Sequence, residues 1–216
     1  MPNDELFVSA VDTAYEAIKT RILKGELRPG QQLSKRKMAE LTGVSVIPVI
    51  EALNRLTEDG LVESRPRWGS FVAIYTPEKI EDLFVLREAL ECQVARVLAR
   101  TMTPAQYAEC LPWANRLDSA KHTGVDSREL CQWHYAFHTK LAEAAGYPSV
   151  CQALKRCNLI WMLHSAEQVG KQRQTLPDDW HKRLLDAFME RDPDRAEKAM
   201  RLHVTDSLQM ILDAHR

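Results

Sequence analysis

The stretch "SKRKMAELTGVSVIPVIEALNRLTEDGLVESRPRWGSFVAIY", residues 34–75, decides the fold. Ser34 stands where a helix N-cap belongs, and "KRKMAELT" follows as a short helix closed by Gly43. Ser45 caps the next helix, "VIPVIEALNRLTEDG". Pro48 falls in its first turn, where a missing N–H is no loss, and Gly60 ends it. Two alternating runs, "LVES" and "SFVAIY", flank the turn-forming "RPRWG" and predict a β-hairpin with a basic tip. The glycine between the two helices suits the sharp crossing of a helix-turn-helix.

Working outward, "VDTAYEAIKTRILKGEL" places Val11, Ala14, Tyr15, Ile18 and Ile22 at amphipathic-helix spacing, and "RPGQQL" breaks it with a Pro-Gly turn. The order helix, helix, tight turn, helix, basic hairpin reads as a winged helix-turn-helix over residues 1–75. The third helix would enter the major groove and the hairpin would lie along the backbone. A three-helix domain that binds nothing shares this pattern. Downstream, Thr76-Pro77 opens a helical segment over residues 76–216. Helices are expected at 77–100, 104–120, 127–145, 148–166, 178–190 and 194–215. Their starts are marked by Thr103-Pro104, Asp126 with Glu129 as a capping box, Pro148 and Asp192-Pro193, and "EQVGKQRQTLP" is a loop. The fold class is therefore mainly α: an N-terminal winged helix-turn-helix (α+β), then an all-α helical bundle.

Composition narrows the class further. The chain has 216 residues, is 45% hydrophobic and 27% charged, and has no run approaching the length of a membrane span. Its acidic N-terminus lacks the pattern of a secretory signal, so a cytoplasmic protein is expected. The five cysteines, Cys92, Cys110, Cys131, Cys151 and Cys157, contain no CxxC pair, which predicts reduced and mostly buried thiols. Net charge is −1, yet residues 18–75 carry 10 Lys/Arg against 6 Asp/Glu, a balance compatible with a nucleic-acid partner. No G-x-S-x-G and no phosphate loop is present, and an enzyme is not expected.

"WHYAFH", residues 133–138, sets His134 and His138 four apart on one helix face. Imidazoles at that spacing can share one ion, or can sit as two satisfied polar residues beside a core. Both readings stay open on the residues alone.

The segments "AIKTRILKGELRPGQQLSKRKMAELTGVS", "PVIEALNRLTEDGLVESRPRWGSFVA" and "LREALECQVARVLA" closely resemble the GntR family of bacterial transcription regulators. The C-terminal half looks like the FadR-type, all-helical (FCD) effector domain. The resemblance covers roughly residues 10–215. It implies a homodimeric, ligand-responsive regulator that binds a double-stranded DNA operator, not a membrane. One departure concerns the reading helix: the family usually has Arg at the positions of Val46 and Ile50, and often Thr at Ile47. A bidentate Arg–guanine contact is worth about 1–3 kcal/mol of discrimination, so operator reading is expected to be weakened or redirected, with Val46 and Ile47 free to meet thymine methyls or to be covered by protein in an unusual assembly. The remaining DNA-contact candidates are Arg36, Ser45, Arg65, Arg67 and the backbone at Gly69, with Lys35 and Lys37 reaching phosphate at most.

Many FadR-type domains resemble one another in holding a divalent metal through Asp-x-x-Phe-His, a His opening a later helix, and a His in the last helix. Phe137 and His138 match the first element, His181 in "DDWHKRLLDAF" the second, and His203 in "AEKAMRLHVTD" the third. His134 stands where the family has Asp. The resemblance thus implies a site of His134, His138, His181 and His203. An all-nitrogen set suits zinc, nickel, copper or iron over magnesium or manganese, and zinc or nickel is expected. His134 beside the metal, without binding it, is the alternative. Arg87 is the candidate for an effector carboxylate, since its fork suits that shape. An Arg87–Glu91 surface pair at i,i+4 accounts for it equally well. Trp133, Trp161, Met162 and His164 would line a pocket or fill the core. The leading function is a transcription regulator whose DNA affinity responds to a small carboxylate at or near a His-rich metal site. Alternatives are a regulator sensing the metal itself, a metalloenzyme, and a scaffold that has lost DNA binding.

Overall fold

A computed structural model describes residues 8–165 and 177–213. The loop expected over 167–177 falls almost wholly outside them, as do the side chains of Trp161, Met162 and His164. The chain divides into two compact units, Met1–Ile74 and Tyr75–Arg216.

In the first unit, helix α1 (Ala10–Leu23) starts at Ser9, whose hydroxyl accepts from Asp12 N–H. It buries Ala14, Tyr15, Ile18 and Ile22 of the stripe its spacing predicts, and leaves Val11, in its first turn, half-buried. Helix α2 (Lys35–Thr42) ends at Gly43, whose left-handed φ of 71° terminates it. Helix α3 (Val46–Glu58) follows, burying Val49, Ala52, Leu53 and Leu56. Ser34 and Ser45 hold the N-cap positions with extended backbone, but neither hydroxyl makes the capping bond expected of it. Helices α1 and α3 pack together and are pinned by Tyr15 Oη donating to Asp59 (2.5 Å) and by Arg55 on Asp12 (2.6 Å).

The hairpin forms as strands β2 (Val62–Arg65) and β3 (Gly69–Val72), with Val62 opposite Val72 and Arg65 opposite Gly69. A further strand, β1 (Gln32–Leu33), pairs with β3 and completes an antiparallel sheet in the order β1-β3-β2. Two residues offer no alternation to read, so the sequence had shown only a break there.

The second unit is helical throughout its described residues. Its elements are α4 (Pro77–Thr101), α5 (Pro104–Ser119), a 3-10 turn (Ala120–His122), α6 (Ser127–Ala144), α7 (Pro148–Ser165), α8 (Trp180–Met189) and α9 (Pro193–Asp213). Thr76 caps α4, and Thr103 with Gln106 forms a full capping box on α5. Asp126 accepts from the N–H groups of Arg128 and Glu129 at the start of α6. Helix α4 lies along α9, clasped by Arg96 on Asp194 (2.6 Å) and Glu197 (2.7 Å) and by Arg201 on Glu88. Phe137 and Phe188 are fully buried, each contributing roughly 1.5–3 kcal/mol. All five cysteines are free thiols and buried. Among the described residues no helix is long and apolar enough to cross a membrane.

Candidate metal centre and nucleic-acid interface

Helix α6 buries His134, Phe137, His138 and Leu141, the i, i+3, i+4, i+7 stripe of an inward-facing helix. The histidines therefore occupy core positions. His181 opens α8 and His203 lies on the inner face of α9. All four imidazoles are buried, none more than 5% exposed. One ring nitrogen each from His134, His181 and His203 lie within 4.8 Å of one another. His138 joins them: its Nε2 is 3.3 Å from Nε2 of His134 and 3.1 Å from Nε2 of His203. Nitrogens on adjacent positions of a metal at about 2.1 Å stand about 3.0–3.4 Å apart; the two His138 spacings fall in that range, while the group with all its nitrogens close together is His134, His181 and His203, without His138.

Two carboxylates, the half-buried Asp118 and the buried Glu91, orient the rings. Asp118, near the end of α5, accepts from His181 Nδ1 (2.7 Å), from His181 N–H (3.0 Å) and from Lys182 N–H (3.0 Å). Asp179, the residue preceding α8, makes no side-chain cap bond. Asp118 thus caps α8 from a neighbouring helix and turns Nε2 of His181 away from itself. On α4, Glu91 Oε2 is 2.9 Å from Nδ1 of His138, an ion-pair distance rather than a well-aligned hydrogen bond. Glu91 Oε1 accepts from Arg87 Nε at 3.0 Å. Carboxylates behind metal-binding histidines fix the tautomer and raise ligand basicity. Aromatic walls complete the setting: Trp180 stacks on His203 at 3.9 Å, and Phe137 meets His138 and His181 edge-on.

The electrostatics follow from this packing. Burial first, then the neighbouring imidazoles and Arg87, hold His134 well below the ordinary range of a histidine. Burial also lowers His138, against the pull of Glu91. For Glu91, burial pushes upward, but Arg87 and His138 outweigh it and bring the carboxyl down to about 2. Four buried imidazoles with a carboxylate behind two of them form a donor set of a kind suited to a divalent transition metal. Arg87 and Glu91 are each 1% exposed, so their pair is buried and the surface reading is corrected. Asp118 and the contact of Glu91 with His138 escaped the sequence, because these partners become neighbours only in the folded bundle.

The DNA-contact candidates all lie on the first unit. Arg36 is exposed in the first turn of α2, and Ser45 is exposed at the start of α3. The hairpin brings Arg65 opposite Gly69, with Arg67 at its tip. Val46 (38%) and Ile47 (70%) are exposed on α3, and Ile50 is half-buried. The tip residue Trp68, 72% exposed, went unremarked in the sequence although "RPRWG" displays it.

A winged helix-turn-helix joined to a helical unit with a buried polar centre defines the class: a DNA-binding transcription regulator with an effector domain. Residues 10–72 match the gntR family of bacterial regulatory proteins, and residues 82–206 match the FCD domain. The chain belongs to this family, and it is a transcription regulator rather than an enzyme. It is similar to an HTH-type transcriptional regulator in an unstable DNA locus of Streptomyces ambofaciens, 31% identical over 88% of this chain and 80% of that one. It is also similar to the HTH-type transcriptional repressor GlaR of Escherichia coli (strain K12), 25% identical over 93% and 94%. The fold resembles that of a putative GntR regulator from Rhodococcus sp. RHA1, with a TM-score of 0.76 and 23% identity, covering 95% of this chain and 99% of that one.

Proposed function

We propose that this regulator is a homodimer whose helical unit holds a divalent transition metal through His134, His138, His181 and His203, and whose operator affinity responds to a small carboxylate bound there. One observation supports the reading above others: the buried imidazoles of His134, His181 and His203 gather, His138 meets two of them, and two of the four have Nδ1 on a carboxylate. The metal, zinc or nickel by ligand type, supplies a positive centre that attracts an anion. The chain's own residues do the rest. Asp118 and Glu91 hold two rings in register, and Phe137 and Trp180 wall the site. Arg87, close enough for its charge to bear on His134 and His138, is the fork for the effector carboxylate. Dimerisation is supported by the exposed Val85 (70%), Leu86 (49%) and Leu202 (59%) on the paired helices α4 and α9, an apolar face that a second copy would cover.

In the winged unit, Arg36, Ser45, Arg65, Arg67 and the backbone of Gly69 are the contacts to DNA. Metal analysis of the protein as purified, followed by mobility shifts on its own upstream region with metal and with carboxylates, tests this. About one divalent ion per chain and a shift altered by a carboxylate are expected. A response to metal alone, with no carboxylate effect, would make the metal the signal. A metal-free protein that takes up none would overturn the ligand set.

A further inference from the structure

Three of the exposed large apolar side chains of the first unit lie where a reading head would be: Val46 and Ile47 on the first turn of α3, and Trp68 at the hairpin tip, its most exposed. The tip is rigid. Pro66 and Arg67 are the central residues of a turn closed by Trp68 N–H donating to Arg65 O at 3.0 Å, the pattern of a type II turn. Arg67 sits at φ 67°, a backbone conformation glycine takes freely and arginine does not. Gln32 Nε2 donates to Trp68 O at 2.8 Å and ties the tip to β1. Arg65 lies over the Phe71 ring, 4.5 Å from its centroid. The backbone of Trp68 is thus held from both sides while its ring stays exposed. Such an arrangement does nothing for the core, and strain kept at an exposed tip points to function.

The geometry points to Trp68 as a wedge that enters the minor groove and partly unstacks one base step, with Ile47 and Val46 reading thymine methyl groups in the major groove. This rests on the winged unit being the DNA-reading part. Chemistry then names the class of site. An aliphatic side chain in the major groove finds an apolar partner only in the thymine methyl. A narrow A·T minor groove attracts Arg67. Aromatic and aliphatic wedges kink duplexes, and flexible pyrimidine–purine steps yield most cheaply. The exposed Lys35, Arg36 and Lys37 precede Val46 and Ile47, and Arg67 adjoins Trp68, which suits a groove edged by phosphates. The operator is therefore an A·T-rich duplex, kinked where the wing enters.

The test selects duplexes from a random pool with the full-length protein and measures the bend by energy transfer between end labels. The selected half-sites are expected to be A·T-rich. Replacing individual thymines by deoxyuridine should weaken binding severalfold at one or two positions in wild type and not in Ile47→Ala. Trp68→Ala should lose roughly tenfold or more in affinity and most of the bend, while Trp68→Phe keeps most of both. Because Trp68 is exposed, thermal stability should stay unchanged. G·C-rich half-sites indifferent to deoxyuridine, or a Trp68→Ala protein that bends DNA as wild type does, would overturn the inference and leave DNA binding intact. Failure to select any duplex would overturn the DNA-reading role itself, and the inference with it. A change in oligomeric state on Trp68→Ala with unaltered DNA binding would assign the ring to a protein contact and also overturn it.

Discussion

Asp118→Asn separates the two jobs assigned to one carboxylate. Its Oδ1 accepts from His181 Nδ1 and His181 N–H, and its Oδ2 accepts from Lys182 N–H. Asparagine has one acceptor oxygen and one NH2. If the oxygen keeps both His181 contacts, the NH2 faces the Lys182 N–H, and donor meets donor. The loss at the start of α8 is one hydrogen bond and a negative charge at a helix N-terminus, about 1–2 kcal/mol. For a unit of this size that lowers the melting temperature by roughly 3–8 °C. Separately, the Nδ1–H of His181 loses its anion, so Nε2 becomes a poorer ligand. Such substitutions typically cost 10–100-fold in metal affinity, or about 1.4–2.7 kcal/mol. The assay is a pair of measurements: circular-dichroism melts of the chelator-treated protein, and zinc affinity by competition with a chromophoric chelator. Thr103→Ala is the control. It breaks the capping box of α5 at a similar cost in stability but touches no histidine, so metal affinity should hold. A matched stability loss in Asp118→Asn with zinc affinity unchanged within twofold would refute the reasoning, because His181 would then be a core residue rather than a ligand.

Four further outcomes follow from the same contacts. Arg87→Met leaves the buried Glu91 carboxylate without its guanidinium and should cost about 3–5 kcal/mol; denaturant titrations of the single variants and of Arg87→Met/Glu91→Gln should show the double losing less than the sum. His134→Asp adds a carboxylate oxygen to the donor set and should move metal preference toward manganese over nickel, read by competitive loading and mass spectrometry; unchanged metal content and preference would show that His134 never mattered as a ligand. Burial holds His134 and His138 below the ordinary imidazole value of 6.5, so the unfolded chain takes up protons first as pH falls. The chelator-treated protein should therefore keep its full stability above about pH 6.5 and lose up to about 1.4 kcal/mol per pH unit per histidine below it; a flat profile from pH 7 to 5 would contradict this. Arg67→Gly relieves the left-handed backbone at the hairpin tip and should stabilise the first unit by roughly 0.5–1 kcal/mol while weakening DNA binding, and a loss of stability would show that the tip is not strained.

What was legible in the sequence was local. Caps, Pro-Gly turns and helical spacing marked the helices of both units, because each signal spends itself within one turn of backbone. Strand β1 was not legible, since two residues pair only after the hairpin exists to receive them. The candidate centre was half legible. His134 and His138 read equally well as ligands or as satisfied core residues until a resemblance set His181 and His203 beside them. Glu91 read as a surface partner of Arg87, because i,i+4 spacing says nothing about exposure, and Asp118 carried no signal at all. Glu91 and Asp118 change the charge of the proposed site. On four-histidine ligation, the divalent ion and Arg87 face Glu91 and Asp118, and the buried centre keeps a single positive charge. With Asp at 134 it would be neutral. A monocarboxylate therefore completes the balance in this chain, whereas an Asp-containing site has no charge left to offer it. On that reasoning His134→Asp should weaken a monocarboxylate effector more than it weakens the metal, and equal losses of the two in titration calorimetry would mean that charge does not select the ligand.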